Sequence, residues 1–156
     1  MISQRTAKKI KEEFGYDFLL MSWEEISRYK GLCKYKGLCE AFIEKYIDRV
    51  NWYFISIYQK LSEDFIDKHT DKVDWDYISR YQCLSENFIE KHADKLNWEY
   101  ISRYQCLSEN FIEKHADKLN WNNISRYQVI TPEFADKHNI KINNNSQRTA
   151  IEWKKI

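Results

Sequence analysis

Turn-making residues are scarce in this sequence, with three glycines and a single proline in 156 residues. That scarcity excludes collagen-like and Gly/Pro-rich linker character, and leaves capping side chains to start and stop the elements. Long apolar runs are missing too. No stretch approaches the roughly 18 residues of a spanning helix and no apolar segment follows Met1. Neither a membrane span nor a signal peptide is expected, and the sequence reads as a soluble, cytoplasmic protein. An excess of charge is absent: 25 Lys and Arg face 24 Asp and Glu, a net +1. This excludes a global pull towards nucleic acid or anionic membrane and leaves only local patches to exert one. No C-x-x-C pair occurs among Cys33, Cys39, Cys83 and Cys106.

What the chain has in quantity is aromatic residues, 16% of the total, and that much apolar area argues against disorder. They recur. Cys83–Gln105 reads CLSENFIEKHADKLNWEYISRYQ, and Cys106–Gln128 repeats it with two substitutions, Asn122 for Glu99 and Asn123 for Tyr100. The period of 23 is carried by Trp52, Trp75, Trp98 and Trp121, by Gln59, Gln82, Gln105 and Gln128, and by Phe42, Phe65, Phe88, Phe111 and Phe134. A fixed period of this size marks units that cannot bury their apolar faces alone and stack into a continuous core. The expected fold is all-α, an elongated solenoid of about five 23-residue helix-turn-helix repeats with a capping helix at each end. It is read as one domain, with 1–20 as N-terminal cap, 21–138 as repeats and 139–156 as C-terminal cap. Cys83 and Cys106 share one repeat position. Stacked helices about 8–10 Å apart would hold them beyond the disulfide reach of about 7 Å, so free, mostly buried thiols are expected.

Ser3–Phe14 reads as the first capping helix, with Ser3 as N-cap and Gly15 as stop. A partial unit follows at Met21, Ser22, Trp23 and Ile26. The period then slips from 23 to 29, because Tyr29–Lys34 (YKGLCK) is duplicated as Tyr35–Glu40 (YKGLCE). An insertion of this kind is expected to form a surface loop, either a contact face or a tolerated addition. In each full unit a first helix starts after Ser62, Ser85, Ser108 or Thr131, and a second after Ser22, Asn51, Asp74, Asn97 or Asn120, all good N-cap residues. Apolar pairs such as Leu61 with Ile66 and Val73 with Ile78 form hydrophobic staples across these starts. One unit then spans helices of about Ser85–Lys95 and Asn97–Gln105. The last unit decays: Ile142, Asn143 and Asn144 replace Leu119, Asn120 and Trp121, and Ser146–Ile156 reads as the closing helix. Ser3–Ala7 and Ser146–Ala150 both read SQRTA, which suggests a head-to-tail homo-oligomer as the alternative to a monomer.

Each polar residue type has an architectural reading. His69, His92, His115 and His138 hold one position, which Tyr46 takes earlier. One histidine per repeat spreads along the axis and cannot converge on a metal, so a buried flat ring with a hydrogen-bonding edge is expected. The repeated glutamines call for bonds to turn backbone or to one another, and Ser79, Ser102 and Ser125 for bonds to a carbonyl one turn back. No nucleophile, base and orienter assemble, so no enzyme activity and no cofactor are expected. Arg28, Arg80, Arg103 and Arg126 form an outer ladder flanked by tyrosines. Glu24, Asp76 and Glu99 stand four residues before the first three, the spacing of a helix ion pair, which leaves Arg126 unpaired.

The residues after each Trp vary while their frame does not: Glu24 and Glu25, Tyr53 and Phe54, Asp76 and Tyr77, Glu99 and Tyr100, Asn122 and Asn123. A fixed frame with a changing exposed strip is how repeat proteins present a binding surface. The candidate binding residues are Tyr53, Asp76, Tyr77, Arg80, Glu99, Tyr100, Arg103, Asn122, Asn123 and Arg126, and no residue is assigned as catalytic or metal-binding. The unit W-x-x-I-S-x-x-Q-x-L-S-E-x-F-I, as in Trp75–Ile89, resembles short helical-hairpin repeats of large DNA viruses and phages, over about Trp23–His138. The resemblance implies a stacked-helix fold, a viral origin with the host cytoplasm as location, and a host-directed role such as blocking a defence complex. The leading expectation is a non-enzymatic module that binds a protein partner. The alternative is single-stranded nucleic acid read by the Arg, Lys and Tyr ladder.

Overall fold

The computed structural model describes residues 2–19, 21–29 and 38–141. Among them are eleven α-helices and no strand: α1 (Gln4–Phe14), α2 (Trp23–Arg28), α3 (Leu38–Lys45), α4 (Trp52–Tyr58), α5 (Glu63–Lys68), α6 (Trp75–Tyr81), α7 (Glu86–Lys91), α8 (Trp98–Tyr104), α9 (Glu109–Lys114), α10 (Trp121–Tyr127) and α11 (Pro132–Lys137). The fold is a helical solenoid of 23-residue repeats. The chain divides into two compact units, Met1–Gln82 and Cys83–Ile156. In the first, α4 packs between α2 and α6, and in the second α10 packs on α8.

The caps explain why such short helices start where they do. Ser62 and Ser108 accept from the N–H groups of Phe65 and Phe111, and Thr131 from Phe134 with Pro132 at the first helical position. Before each Trp, Asn51, Asp74, Asn97 and Asn120 do the same for the second helices, and Ser22 with Glu25 closes a full capping box. Six- and seven-residue helices are not stable alone. Their stability comes from burial: Ile43, Ile66, Ile89 and Ile112 on first helices and Ile26, Ile55, Ile78, Ile101 and Ile124 on second helices are all 0% exposed. Each contributes on the order of 2–3 kcal/mol.

The first helices are shorter than their sequence suggests. α7 stops at Lys91, with His92 as C-cap at φ −113°, ψ 27°, and His92–Lys95 is a turn closed by bonds from Lys95 N–H and Leu96 N–H to the His92 carbonyl. The Trp explains the early stop. Its indole N–H donates to the carbonyl five residues back, Ile47, Thr70, Ala93 or Ala116, at 2.9–3.2 Å. That bond ties each turn to the following helix.

Neighbouring repeats are joined through glutamine, whose side-chain amides bond to the backbone of the repeat before. The Gln82 amide nitrogen donates to the carbonyls of Ser56 (3.1 Å) and Gln59 (2.9 Å), while its oxygen accepts from Leu61 N–H at 3.0 Å. Gln128 does the same to Ser102, Gln105 and Leu107. A second link runs through serine. Ser56 and Ser102 donate to the carbonyls of Trp52 and Trp98 and accept from the N–H of Asp74 and Asn120 in the next repeat.

At the start of the first unit, Gly15 ends α1 at φ 74°, a backbone conformation that L side chains resist. The chain returns so that Ile2 N–H bonds to the Met21 carbonyl at 3.0 Å. Phe42, 0% exposed, gathers the rings of Phe14, Tyr16, Phe18 and Tyr46 at centroid distances of 5.0–6.0 Å. In the second unit the last helix exits differently. Asn139 takes φ 54° and Ile140 N–H reaches the Ala135 carbonyl, a Schellman-type ending that asparagine permits. Of the duplicated hexapeptides, residues 30–37 lie outside the described residues, and Leu38–Glu40 form the first turn of α3 instead of a loop. The expected closing helix Ser146–Ile156 also lies outside them.

Candidate functional site

The candidate strip lies on α4 and α6 in the first unit and on α8 and α10 in the second. In the first unit, Tyr53 and Tyr77 meet edge to face at 4.9 Å with their hydroxyls 3.1 Å apart. Phe54 lies 5.0 Å from Tyr53, and Tyr81 stacks on Tyr77 at 6.1 Å. Tyr53 and Tyr81 are 45% and 46% exposed. The result is one continuous aromatic surface drawn from two repeats. Asp76 is exposed on the first turn of α6, and the Arg80 guanidinium lies 5.0 Å from the Tyr81 ring.

In the second unit, Arg103 lies over Tyr104 (5.1 Å) and over Tyr127 of the next repeat (4.7 Å). Tyr100 stands 6.1 Å from Tyr104. Asn123 donates to the Glu99 carbonyl at 3.3 Å, and Asn122 and Arg126 are exposed. Arg126 has no charged partner among the described residues. The expected ion pair is present at Glu24–Arg28 (3.9 Å) but not at Glu99–Arg103, a correction with a clear cause: stacking between two tyrosine rings carries the guanidinium away from the carboxylate. The rings missed by the sequence reading are Tyr58 and Tyr127. Arg28 also lies over Phe54 (4.9 Å) and Tyr58 (6.0 Å). The signal for both was present in the 23-residue spacing of tyrosine before each glutamine.

Two further positions complete the chemistry. Cys83 and Cys106 are free, as expected, but exposed, not buried. They follow the anchored glutamine in the outer turn, where Val129 is likewise 58% exposed. The buried histidine reading holds for His69 and His92, at 4% and 7% exposure. His69 and His115 lie 5.2 Å from Trp52 and Trp98 of the preceding repeat. His69 Nε2 and Lys68 Nζ share one oxygen of Glu44, each at 2.7 Å, and Glu90 and Glu113 receive Lys114 with His115 and Lys137 with His138.

These lysine bonds, and then the histidine bonds, hold Glu44, Glu90 and Glu113 below the ordinary value of 4.5. A depressed folded value means their stabilisation is complete above pH 4.5 and is lost as pH falls through the lower, folded value. Thermal unfolding followed by circular dichroism from pH 7 to 3 should therefore show a falling midpoint at the acid end. Glu90→Gln should flatten that fall, and an unchanged slope would refute the assignment.

No group of three His, Cys, Asp or Glu among the described residues is placed to hold a metal ion. A surface groove of about 390 Å³ is lined by Ile2, Ser3, Thr6, Trp23, Tyr46 and Arg49, with no histidine, cysteine or carboxylate among the described residues that line it. Among the described residues no helix is long and apolar enough to cross a membrane. No family model, curated protein or solved structure matches the chain.

Proposed function

We propose that the chain is a non-enzymatic binding module that engages a protein partner through the outer strip of its second helices. The observation that carries this reading is the aromatic surface of Tyr53, Phe54, Tyr77 and Tyr81, half-exposed on a scaffold whose glutamine and serine links fix its register. Large rings with an exposed hydroxyl edge, held rigid before binding, are the residues that concentrate binding energy at protein interfaces. Asp76 and Arg80 beside them supply polar groups for orientation. The likeness to viral repeats adds a role for such a module, the occupation of a host complex.

The nucleic-acid alternative is less well supported. A base needs an open ring face to stack on, and the faces of Phe54, Tyr104 and Tyr127 carry guanidinium groups. The test pairs two measurements. Immobilised wild-type chain should retain a protein partner that the variant Tyr53→Ala/Tyr81→Ala loses, while labelled single-stranded RNA and DNA should show no tight binding by anisotropy at low salt. Equal retention by both forms, or tight binding with a steep salt slope, would overturn the proposal.

A further inference from the structure

Tyr53 on α4 and Tyr77 on α6 bring their phenolic ends together across a repeat boundary. Their hydroxyl oxygens lie 3.1 Å apart, and their rings meet at 4.9 Å between centroids with 80° between planes. That separation is at the close end of the roughly 4.5–7 Å range of aromatic pairs. The pairing joins the first residue after one Trp to the second residue after the next Trp. At the other junctions the sequence places Glu24 and Phe54, Asp76 and Tyr100, and Glu99 and Asn123 in those two positions. Of the four junctions, this one carries two phenols.

The frame around the pair holds it in place. α4 packs on α6, Ser56 accepts the Asp74 N–H at 3.0 Å, and Gln82 donates to the Ser56 and Gln59 carbonyls. Ser56 and Asp74 lie within one helical turn of Tyr53 and Tyr77 along the chain, so the link between repeats also fixes the two rings. Tyr53 is 45% exposed and Tyr77 is half-buried, which leaves the pair within reach of solvent. Oxidised phenols couple through the ring carbons beside the oxygen. Converging hydroxyl ends present those carbons to each other, and their fixed proximity replaces a slow encounter between separate radicals. Tyr81, stacked on Tyr77 at 6.1 Å with 18° between planes, is less well placed.

We propose that Tyr53 and Tyr77 form an oxidative modification site, at which a one-electron oxidant of the peroxidase class, fed by hydrogen peroxide, joins them as dityrosine. Each phenol loses one electron to the oxidant and its hydroxyl proton to water. The two phenoxyl radicals then pair their electrons in a new bond between one ortho carbon of each ring. The hydrogens on those carbons leave as protons, and both oxygens are reprotonated. In sum one carbon–carbon bond forms, two carbon–hydrogen bonds break, and one hydrogen peroxide is reduced to two waters. The product is a covalent staple between α4 and α6 that spans 24 positions of the chain and restrains its unfolded state as any cross-link does. The reaction depends on the pair itself and not on what the outer strip binds.

The test treats the dilute full-length chain, its thiols alkylated beforehand, with hydrogen peroxide and a haem peroxidase, beside free N-acetyltyrosine as a control for the oxidant. The expected product is a monomer with dityrosine fluorescence. Its tryptic digest should contain residues 50–60 joined to residues 73–80, two hydrogen atoms lighter than the separate peptides. Fragmentation should place the bond on Tyr53 rather than Tyr58, which shares its peptide. Tyr53→Phe and Tyr77→Phe keep the rings and their packing, and each should abolish the linked peptide, whereas Tyr58→Phe should retain it. Three results overturn the proposal. They are no linked peptide under conditions that couple N-acetyltyrosine, a linked peptide that survives either Tyr53→Phe or Tyr77→Phe, and coupling only between separate chains.

Discussion

Gln82→Leu should destabilise the first unit by about 3–5 kcal/mol, measured as the shift in urea unfolding free energy. The substitution places an apolar side chain of similar size in a site that is 5% exposed, so packing changes little. What is lost is the partner of three backbone groups, the Leu61 N–H and the carbonyls of Ser56 and Gln59. Each buried group left without a partner costs about 1–3 kcal/mol, well above the net worth of the bond it made. Gln82→Glu separates the contributions. A carboxylate still accepts from Leu61 but faces two carbonyl oxygens that it cannot satisfy, so it should destabilise at least as much as Leu. A change below about 1 kcal/mol for either variant would mean that the amide does not join the repeats.

Phe42→Ala should cost a similar amount, about 3–5 kcal/mol, through a different cause. Phe42 is the ring on which Phe14, Tyr16, Phe18 and Tyr46 converge. Truncation removes burial and leaves a cavity lined by rigid rings that collapse poorly. Because three of those rings precede the first repeat, the loss should fall on α1 first. Hydrogen exchange should speed up along Gln4–Phe14, while α8 and α10 keep their protection. Uniform acceleration across both units would mean that α1 is not a separately held cap.

Much of this was legible in the sequence, because caps and staples are local. Ser, Thr, Asn or Asp before each helix and the apolar residue before each cap act within four or five residues, and the structure places the starts accordingly. The helix ends were less legible. Glu90–Lys95 reads as helix-forming, but α7 ends at Lys91, because the indole of Trp98 takes the Ala93 carbonyl at 2.9 Å. That bond depends on where the next helix lies. The outer strip was visible as a set of varying residues, but not its stacking. The partners of Arg103 include Tyr127, one repeat away, and that contact exists only once the register of stacking is set. The exposure of Cys83 and Cys106 was misread for a related reason: cysteine is usually buried, but here it occupies the turn just outside the glutamine link.

The direction of that link bears on how the chain folds as it is made. The side chains of Gln59, Gln82 and Gln128 bond to earlier residues, from 21 to 32 positions back along the sequence. A repeat emerging from the ribosome therefore carries the group that closes it onto a repeat already synthesised, and it satisfies the backbone groups which that earlier repeat had left open. Contacts of such short span favour rapid folding, and a one-dimensional array can propagate order from its first formed unit. In the first unit, α1 and the Phe42 ring cluster supply a packed surface from which such an array can extend.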